Sequence, residues 1–259
     1  MKRLKRYTYE RYAILCQLAY PNREGFELDF SGFEQIELLD RFKTSCVRVI
    51  WQADKKEVVV VFRGSHNLYD WLLNLCMFQT PLEFSGRRYF VHWGMQRLLQ
   101  QPSYTKFDGQ AKPLLQRIIN ILQPLADEGK KISFIGHSTG GSLAVLFADQ
   151  FARKELGKVK RVVTFGQPSC GGASFKRHYC LHHKTYRVCC DVDIVTFLPP
   201  LPYLYQHVGK LLWLHEDRIY EHITPGTRLW ISIKSWLLRP FAYHYMKKYI
   251  RNKGLFDKH

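Results

Sequence analysis

The chain has 259 residues, 46% of them apolar, which is enough to bury the core of one enzyme-sized domain over residues 1–259. Its 39 Lys and Arg residues exceed its 22 Asp and Glu residues, so the formal net charge is +17; a nucleic acid and an anionic membrane surface are candidate partners, and a merely solvated surface is the alternative. Seven cysteines, an odd number without C-x-x-C spacing, argue against a disulfide framework and a zinc site.

The expected location is the cytoplasm, with peripheral contact to a membrane left open. The N-terminus is basic, but no uninterrupted apolar stretch of the kind found in signal peptides follows it. No run of about 18 apolar residues indicates a transmembrane helix. No zinc-finger spacing, RNP-type motif or helix-turn-helix signal favours nucleic acid, so no specific nucleic-acid partner is expected. The sequence does not predict the oligomeric state.

Helical and extended patterns alternate along the chain. Apolar residues at helical spacing predict a helix over 9–20 that ends before Pro21. Strands follow at 46–51 and 58–62, and the second is so apolar that we expect it to be buried on both faces. The later predicted elements are a helix at 112–125, a strand at 131–135, a helix at 142–148, strands at 162–165, 186–189 and 211–214, and a helix at 243–250. This order predicts an α/β fold with a mostly parallel sheet flanked by helices.

The most informative motif is Gly136-His137-Ser138-Thr139-Gly140, which lies between a predicted strand and a predicted helix. This is the pattern of a nucleophile elbow, a turn so tight that side chains on both sides of the serine would collide. The two glycines remove those side chains, and the serine hydroxyl can then project to a base that takes its proton. A Gly/Ser turn in another α/β protein is the alternative.

A serine nucleophile needs a histidine base and a carboxylate that orients it, usually in the chain order Ser, Asp, His. Asp191 and Asp193 both follow the strand at 186–189; Asp193 is favoured because it opens a buried turn, although either residue could cap that turn. Of the competing histidines, only His244 lies beside a short terminal helix, and spacing alone does not select it. The candidates are His178, His182, His183, His207, His215, His222 and His244.

Seven further segments lie along the chain in a recognisable order. They are Phe62-Arg63-Gly64-Ser65, Asp70-Trp71-Leu72 with Asn74-Leu75, Val91-His92-Trp93-Gly94-Met95, Phe165-Gly166-Gln167-Pro168, Asp193-Ile194-Val195 with Leu198-Pro199-Pro200, His207-Val208-Gly209, and His244 with Tyr249-Ile250. Together they resemble the motifs of the fungal-type class 3 lipase family from the first helix to about residue 250. Three positions depart from the family: Thr139 replaces leucine, Tyr243 replaces an aspartate, and Met95 replaces phenylalanine.

The resemblance implies an α/β-hydrolase that cleaves carboxylic esters of lipids, either as a triacylglycerol lipase or as an enzyme like phospholipase A1. It assigns Ser138 as nucleophile, His244 as base and Asp193 as the orienting acid, with an oxyanion hole from Thr139 and Ser65. It implies no metal and no organic cofactor. The alternatives are an acyltransferase or thioesterase with the same triad and, in a different class, a catalytically silent module that binds lipid or membrane.

Two apolar segments have open interpretations. Residues 66–78 would be a lid over the acyl site in a lipase, or else a helix packed on the core. Residues 229–239 contain Trp230 and Trp236 among aliphatic residues and flanking cations, which suits a membrane interface, although a buried element would have a similar composition.

Overall fold

A computed structural model describes residues 3–20, 30–64, 78–106, 108–236 and 241–257, with the backbone alone for 232–236. The helices are α1 (Arg6–Leu18), α2 (Trp93–Gln100), α3 (Leu114–Asp127), α4 (Thr139–Arg153), α5 (Ala173–His178), α6 (Pro225–Trp236) and α7 (Met246–Arg251). The strands are β1 (Glu34–Leu39), β2 (Ser45–Trp51), β3 (Glu57–Phe62), β4 (Gln79–Phe84), β5 (Arg87–His92), β6 (Pro102–Thr105), β7 (Lys112–Pro113), β8 (Lys131–His137), β9 (Val159–Phe165), β10 (Thr185–Cys190), β11 (Lys210–His215) and β12 (Arg218–Tyr220).

The main sheet has the strand order β12-β11-β10-β9-β8-β3-β2-β1-β6-β7. The five neighbouring strands from β11 to β3 are parallel, and the strands outside them pair antiparallel. Helices α2, α3 and α4 contribute to the core on one face of the sheet, and α1 and α7 contribute to the core on the other. The predicted arrangement, a parallel centre between two helical layers, is confirmed.

Strand β3 lies at the middle of this arrangement and explains its continuous apolar sequence. Val58, Val60 and Phe62 enter one core, and Val59 and Val61 enter the other. All five side chains are buried, so the prediction of burial on both faces is confirmed. Each such side chain stabilises the fold by about 1.5–3 kcal/mol relative to an exposed one.

The predicted helix ends were wrong by a few residues, for identifiable reasons. The helix predicted at 112–125 begins at Leu114, because Lys112 precedes Pro113 and is therefore held in an extended conformation that pairs with β6. The last helix begins at Met246, so His244 lies in the loop before it. The hairpin of β4 and β5 was not predicted, since its strands are largely exposed and lack a clear apolar alternation.

The turn between β8 and α4 presses against the end of β3. A Cβ atom at Gly136 would lie 2.3 Å from the Gly140 carbonyl oxygen, and one at Gly140 would lie 2.2 Å from the Phe62 carbonyl oxygen. Neither position admits a side chain unless the backbone moves. The glycines are therefore required by the approach of two main chains, as the elbow motif predicts.

We expect Gly140→Ala to lower the free energy of unfolding by more than ~1 kcal/mol, because the new methyl group would have to displace the backbone of β3. Urea unfolding measures the change. Gly109→Ala is the matched control, since a Cβ atom there meets nothing within 4 Å. Equal stability of the two variants would contradict this account of the elbow.

Candidate active site

Ser138 lies in the turn between β8 and α4 with φ 57° and ψ −134°. A non-glycine residue pays about 1–3 kcal/mol for such a conformation, which the flanking strand and helix must impose. The Ser138 N–H donates to the Phe165 carbonyl at 2.9 Å, and this bond ties the turn to the end of β9. The side chain is buried, and its Oγ has no hydrogen-bond partner among the described residues.

Asp193 follows β10 and opens a 3-10 turn, Ile194–Phe197. Its carboxylate is fully buried, and Oδ1 accepts the N–H of Val195 at 3.0 Å. The Tyr249 hydroxyl donates to Oδ2. The Thr196 hydroxyl donates to the Asp193 main-chain carbonyl at 2.7 Å. These bonds fix the carboxylate in one orientation and replace the water that burial removed.

His244 supplies the remaining bond to that carboxylate. Its Nδ1 lies 3.0 Å from both Asp193 oxygens. An ionised carboxylate only accepts, so Nδ1 carries the proton and Nε2 keeps its lone pair. Nε2 is buried and has no partner within the described part of the chain. Gly166 allows this packing, because a Cβ atom there would lie 2.6 Å from Asp193 Oδ2 and 3.0 Å from the His244 ring.

The structure thus brings together the three residues that the sequence nominated. Asp193 and His244 are hydrogen-bonded, and Ser138 is anchored to Phe165, next to the glycine that both of them contact. Ser138 Oγ and His244 Nε2 are not hydrogen-bonded to each other, which is common in structures without substrate. The arrangement has the parts of a nucleophile, a base and an orienting acid.

His137 contacts His244, and the sequence did not predict this contact. Its Nδ1 lies 2.7 Å from the Tyr20 hydroxyl, and its Nε2 lies 2.7 Å from the His244 main-chain oxygen. The two histidine rings are 4.6 Å apart. Burial, and then the neighbouring His244, lowers the pKa of His137 well below its usual value. His137 is therefore neutral: Tyr20 donates to Nδ1, and the Nε2–H group holds the backbone of His244.

The two predicted oxyanion-hole residues differ in what the structure says of them. Thr139 is buried and is the first residue of α4, where backbone N–H groups lack helical acceptors. Ser65 lies outside the described residues. Gly64, the residue before it, packs on the elbow, since a Cβ atom at Gly64 would lie 2.9 Å from Ser138 Cβ. The predicted lid at 66–78 and the motif at Asp70 also lie outside the described residues, apart from Phe78.

The rival candidates take other positions. Asp191 binds the ring of His215 at 3.0 Å. His207 is partly buried and its Nε2 lies 2.8 Å from the Thr196 carbonyl oxygen, and desolvation lowers its pKa well below the usual value. His222 is almost fully exposed. Among the described residues no group of three or more His, Cys, Asp or Glu side chains is placed to hold a metal ion.

The fold and this site define an α/β-hydrolase: a parallel sheet between helices, a serine at a strand-turn-helix elbow, and a hydrogen-bonded Asp-His pair near it. The sequence profile of class 3 lipases matches residues 59–203, which is more than half of the chain. The chain belongs to the class 3 lipase family.

Relatives and solved structures agree with this assignment. The chain is 26% identical to a lipase of Rhizomucor miehei over 171 residues, covering 63% of this chain and 43% of that protein. It is 27% identical to phospholipase A1-Igamma1 of Arabidopsis thaliana over 201 residues, covering 63% of this chain and 39% of that protein. The chain spans half or less of the length of these relatives.

Two solved structures are similar over almost the whole chain. A mutant of MDLA from Penicillium cyclopium superposes with a TM-score of 0.66 at 16% identity, covering 95% of this chain and 97% of that chain. The lipase of Rhizopus microsporus var. chinensis superposes with a TM-score of 0.63 at 18% identity, covering 94% and 85%. At these identities the likeness concerns the fold.

We expect the free energy of unfolding to fall as the pH is lowered from 6.5 to 4.5. Burial lowers the pKa of His92 from 6.5 to about 4, and it also depresses those of His137 and His207. The unfolded chain therefore binds protons in this range before the folded chain does, and stability is lost on acidification. His92 alone accounts for ~2 kcal/mol, which urea unfolding at several pH values measures.

His92→Asn keeps an acceptor at the start of α2, where the His92 ring accepts the Met95 N–H. We expect this variant to lose less stability than the parent between the same pH values. His222→Asn, at an exposed position, is the control and should follow the parent curve. If the parent and His92→Asn had the same pH dependence, His92 would not be a source of the loss of stability at low pH.

Proposed function

We propose that the protein hydrolyses carboxylic esters of lipids, with Ser138 as nucleophile, His244 as general base and Asp193 as the residue that orients the base. One observation carries the proposal: His244 Nδ1 is hydrogen-bonded to a buried carboxylate, and within the described residues neither His244 Nε2 nor the Ser138 hydroxyl has a hydrogen-bond partner. Membership in the class 3 lipase family and the named lipase and phospholipase relatives support it.

In the proposed mechanism, the Ser138 hydroxyl gives its proton to His244 Nε2 as its oxygen attacks the ester carbonyl. Asp193 stabilises the imidazolium that forms. The negative charge on the carbonyl oxygen is met by the N–H of Thr139 and by the N–H and hydroxyl of Ser65, each donor being worth ~3 kcal/mol of barrier. His244 returns the proton to the leaving alcohol, and water then releases the acyl group by the same route.

Acyl transfer and thioester hydrolysis are the alternative reactions, since both pass through the same acyl-serine. Product analysis with a competing alcohol separates them: transfer would give a new ester, whereas hydrolysis gives the free acid. A silent lipid-binding module is the alternative outside enzymes. A fluorophosphonate probe, which reacts with activated serines, would leave such a module unlabelled. The lipid substrate is either an acylglycerol or a phospholipid, and a panel of both identifies it.

We expect Ser138→Ala to reduce ester hydrolysis by ~10³-fold or more, because only the oxyanion site and substrate binding remain. The side chain loses one oxygen that makes no hydrogen bond among the described residues, so the fold should persist. Initial rates on a soluble p-nitrophenyl ester, with circular dichroism on the same sample, measure both effects. A folded variant with near-normal turnover would sink the serine mechanism.

Paired variants test the two partners against their rivals. His244→Ala and Asp193→Asn should each impair turnover severely, because the three residues act as one unit. His222→Ala and Asp191→Asn make the same chemical changes outside the unit and should be mild. A severe loss in His222→Ala would transfer the base assignment to that residue.

We also propose that the protein acts in the cytoplasm, at an anionic membrane surface. Helix α6 carries the exposed residues Leu229, Trp230 and Ile231, and Tyr245, next to His244, is also exposed. Exposed apolar side chains on a protein of net charge +17 suit a lipid surface. Trp236 is described by its backbone alone.

No helix within the described ranges has the length and apolar character needed to cross a bilayer. Some relatives, such as those of Malassezia globosa, are named as secreted proteins.

We expect the protein to co-sediment more strongly with anionic than with neutral vesicles. Added salt should weaken that binding, because the Debye length falls from ~8 Å at physiological ionic strength to ~3 Å at about 1 M. Trp230→Ala should reduce binding, because the indole is 76% exposed, and should leave soluble-ester turnover nearly unchanged. Phe42→Ala, at a 72% exposed aromatic residue between β1 and β2, is the control. Equal binding to neutral and anionic vesicles at every salt concentration would exclude recruitment by charge.

A further inference from the structure

A basic cavity of about 610 Å³ lies between β1, β2, β6 and α3, and the proposed reaction does not use it. Among the described residues that line it, four are cations, Arg48, Lys106, Lys112 and Arg117, and one is a carboxylate, Glu37. Its volume is within the range of small-molecule sites. None of the proposed triad residues contributes to it. The excess of positive charge indicates an anionic ligand.

Two of these cations, Arg48 and Lys106, are held in place by the Glu37 carboxylate. Arg48 is buried, and its Nε and Nη2 donate to Glu37 Oε1 at 3.1 and 2.8 Å. Lys106 Nζ lies 3.0 Å from Glu37 Oε2. Burial would raise the pKa of Glu37, but hydrogen bonds from Ser45, Lys106 and Arg48 outweigh it and lower the pKa to about 2. Glu37 therefore stays ionised and holds the charged groups of Arg48 and Lys106 in position.

The opposite wall is equally well built. Arg117 is buried, and its Nη1 donates to Asp108 at 3.0 Å while Nη2 donates to the Gln110 carbonyl. Lys112 is exposed. Asn120 accepts from Gln116 through its oxygen, which leaves the amide N–H groups as donors. The wall offers charge for a phosphate and polar groups for neighbouring hydroxyls.

A second cavity of about 290 Å³ continues the first. It shares Glu37, Arg48 and Lys106 with the larger cavity and adds Lys43 and Arg63. Arg63 is partly buried, and its guanidinium lies 3.6 Å from the Asp40 carboxylate. The two cavities together form one groove, which we call the basic groove, with room and charge for more than one phosphate.

We propose that the basic groove binds a multiply phosphorylated polyol, either free in solution or as the headgroup of a lipid. The fixed guanidinium groups and the lysines of the groove bind phosphate oxygens. The hydroxyl of Thr105 and the amides of Gln35 and Asn120 match the hydroxyl groups of a polyol. A nucleic acid fits less well, because Tyr20 is the only aromatic residue among the described residues that line the two cavities, and its hydroxyl is bound to His137.

Calorimetric titration of the whole protein with inositol trisphosphate tests the proposal. The variant Lys106→Ala/Lys112→Ala should bind at least about tenfold more weakly than the parent, since it removes two ammonium groups that line the groove. Lys154→Ala/Lys158→Ala removes the same charge from exposed positions outside the groove and is the matched control. All four lysines are exposed, so both variants should fold, and circular dichroism checks this. Equal weakening in the two variants, or no titratable binding by the parent, would overturn the proposal.

Two further arms identify the source of the ligand. Vesicles of phosphatidylcholine with and without phosphatidylinositol bisphosphate test a lipid headgroup; binding to these vesicles that Lys106→Ala/Lys112→Ala reduces supports a lipid ligand. Binding to inositol trisphosphate alone supports a soluble one. Tighter binding of single-stranded RNA, reduced by the same variant, would replace the proposal with a nucleic-acid site. Soluble-ester turnover should be equal in all variants, so failure of this proposal and failure of the proposed hydrolase activity are separate results.

Discussion

The hydrogen bond between the Asp193 carboxylate and His244 Nδ1 is the interaction on which the rest of the site depends. It joins residues 51 positions apart in the chain, and both are buried. A buried carboxylate is costly unless its oxygens are satisfied. Val195 and Tyr249 supply the other donors, so the turn after β10 and helix α7 must both be in place before the pair is stable.

The same requirement explains how tightly the neighbouring segments pack. Gly166 lets the pair approach the end of β9, and Gly136 and Gly140 let the elbow meet β3. His137 then links the elbow to the main chain of His244, with Tyr20 behind it. Parts of the chain that are distant in sequence are thereby held together by close approaches at the glycines and by the hydrogen bonds of the His137 ring.

The sequence predicted the features that a local pattern of residues marks. It did not predict contacts between residues that are distant in the chain. The five apolar residues of β3 and the glycines of the elbow carry their own signal, because burial on two faces and a tight turn restrict residue type locally. Tyr20 gave no signal, since a tyrosine at the end of a helix looks the same whether or not a histidine lies beyond it. Tyr249 was part of a recognised motif, but its hydrogen bond to Asp193 became visible only in the structure. The cations of the basic groove come from separate elements and formed no pattern.

The pairing of His137 with His244 has a consequence for the robustness of the site. Two imidazole rings lie 4.6 Å apart, and a second ring so close would ordinarily be a reserve proton acceptor. Here both nitrogens of His137 are already committed, one to Tyr20 and the other to the His244 carbonyl. The neighbouring ring therefore adds rigidity to the site, and His137 cannot replace the imidazole of His244, the proposed base, while both of its nitrogens are engaged.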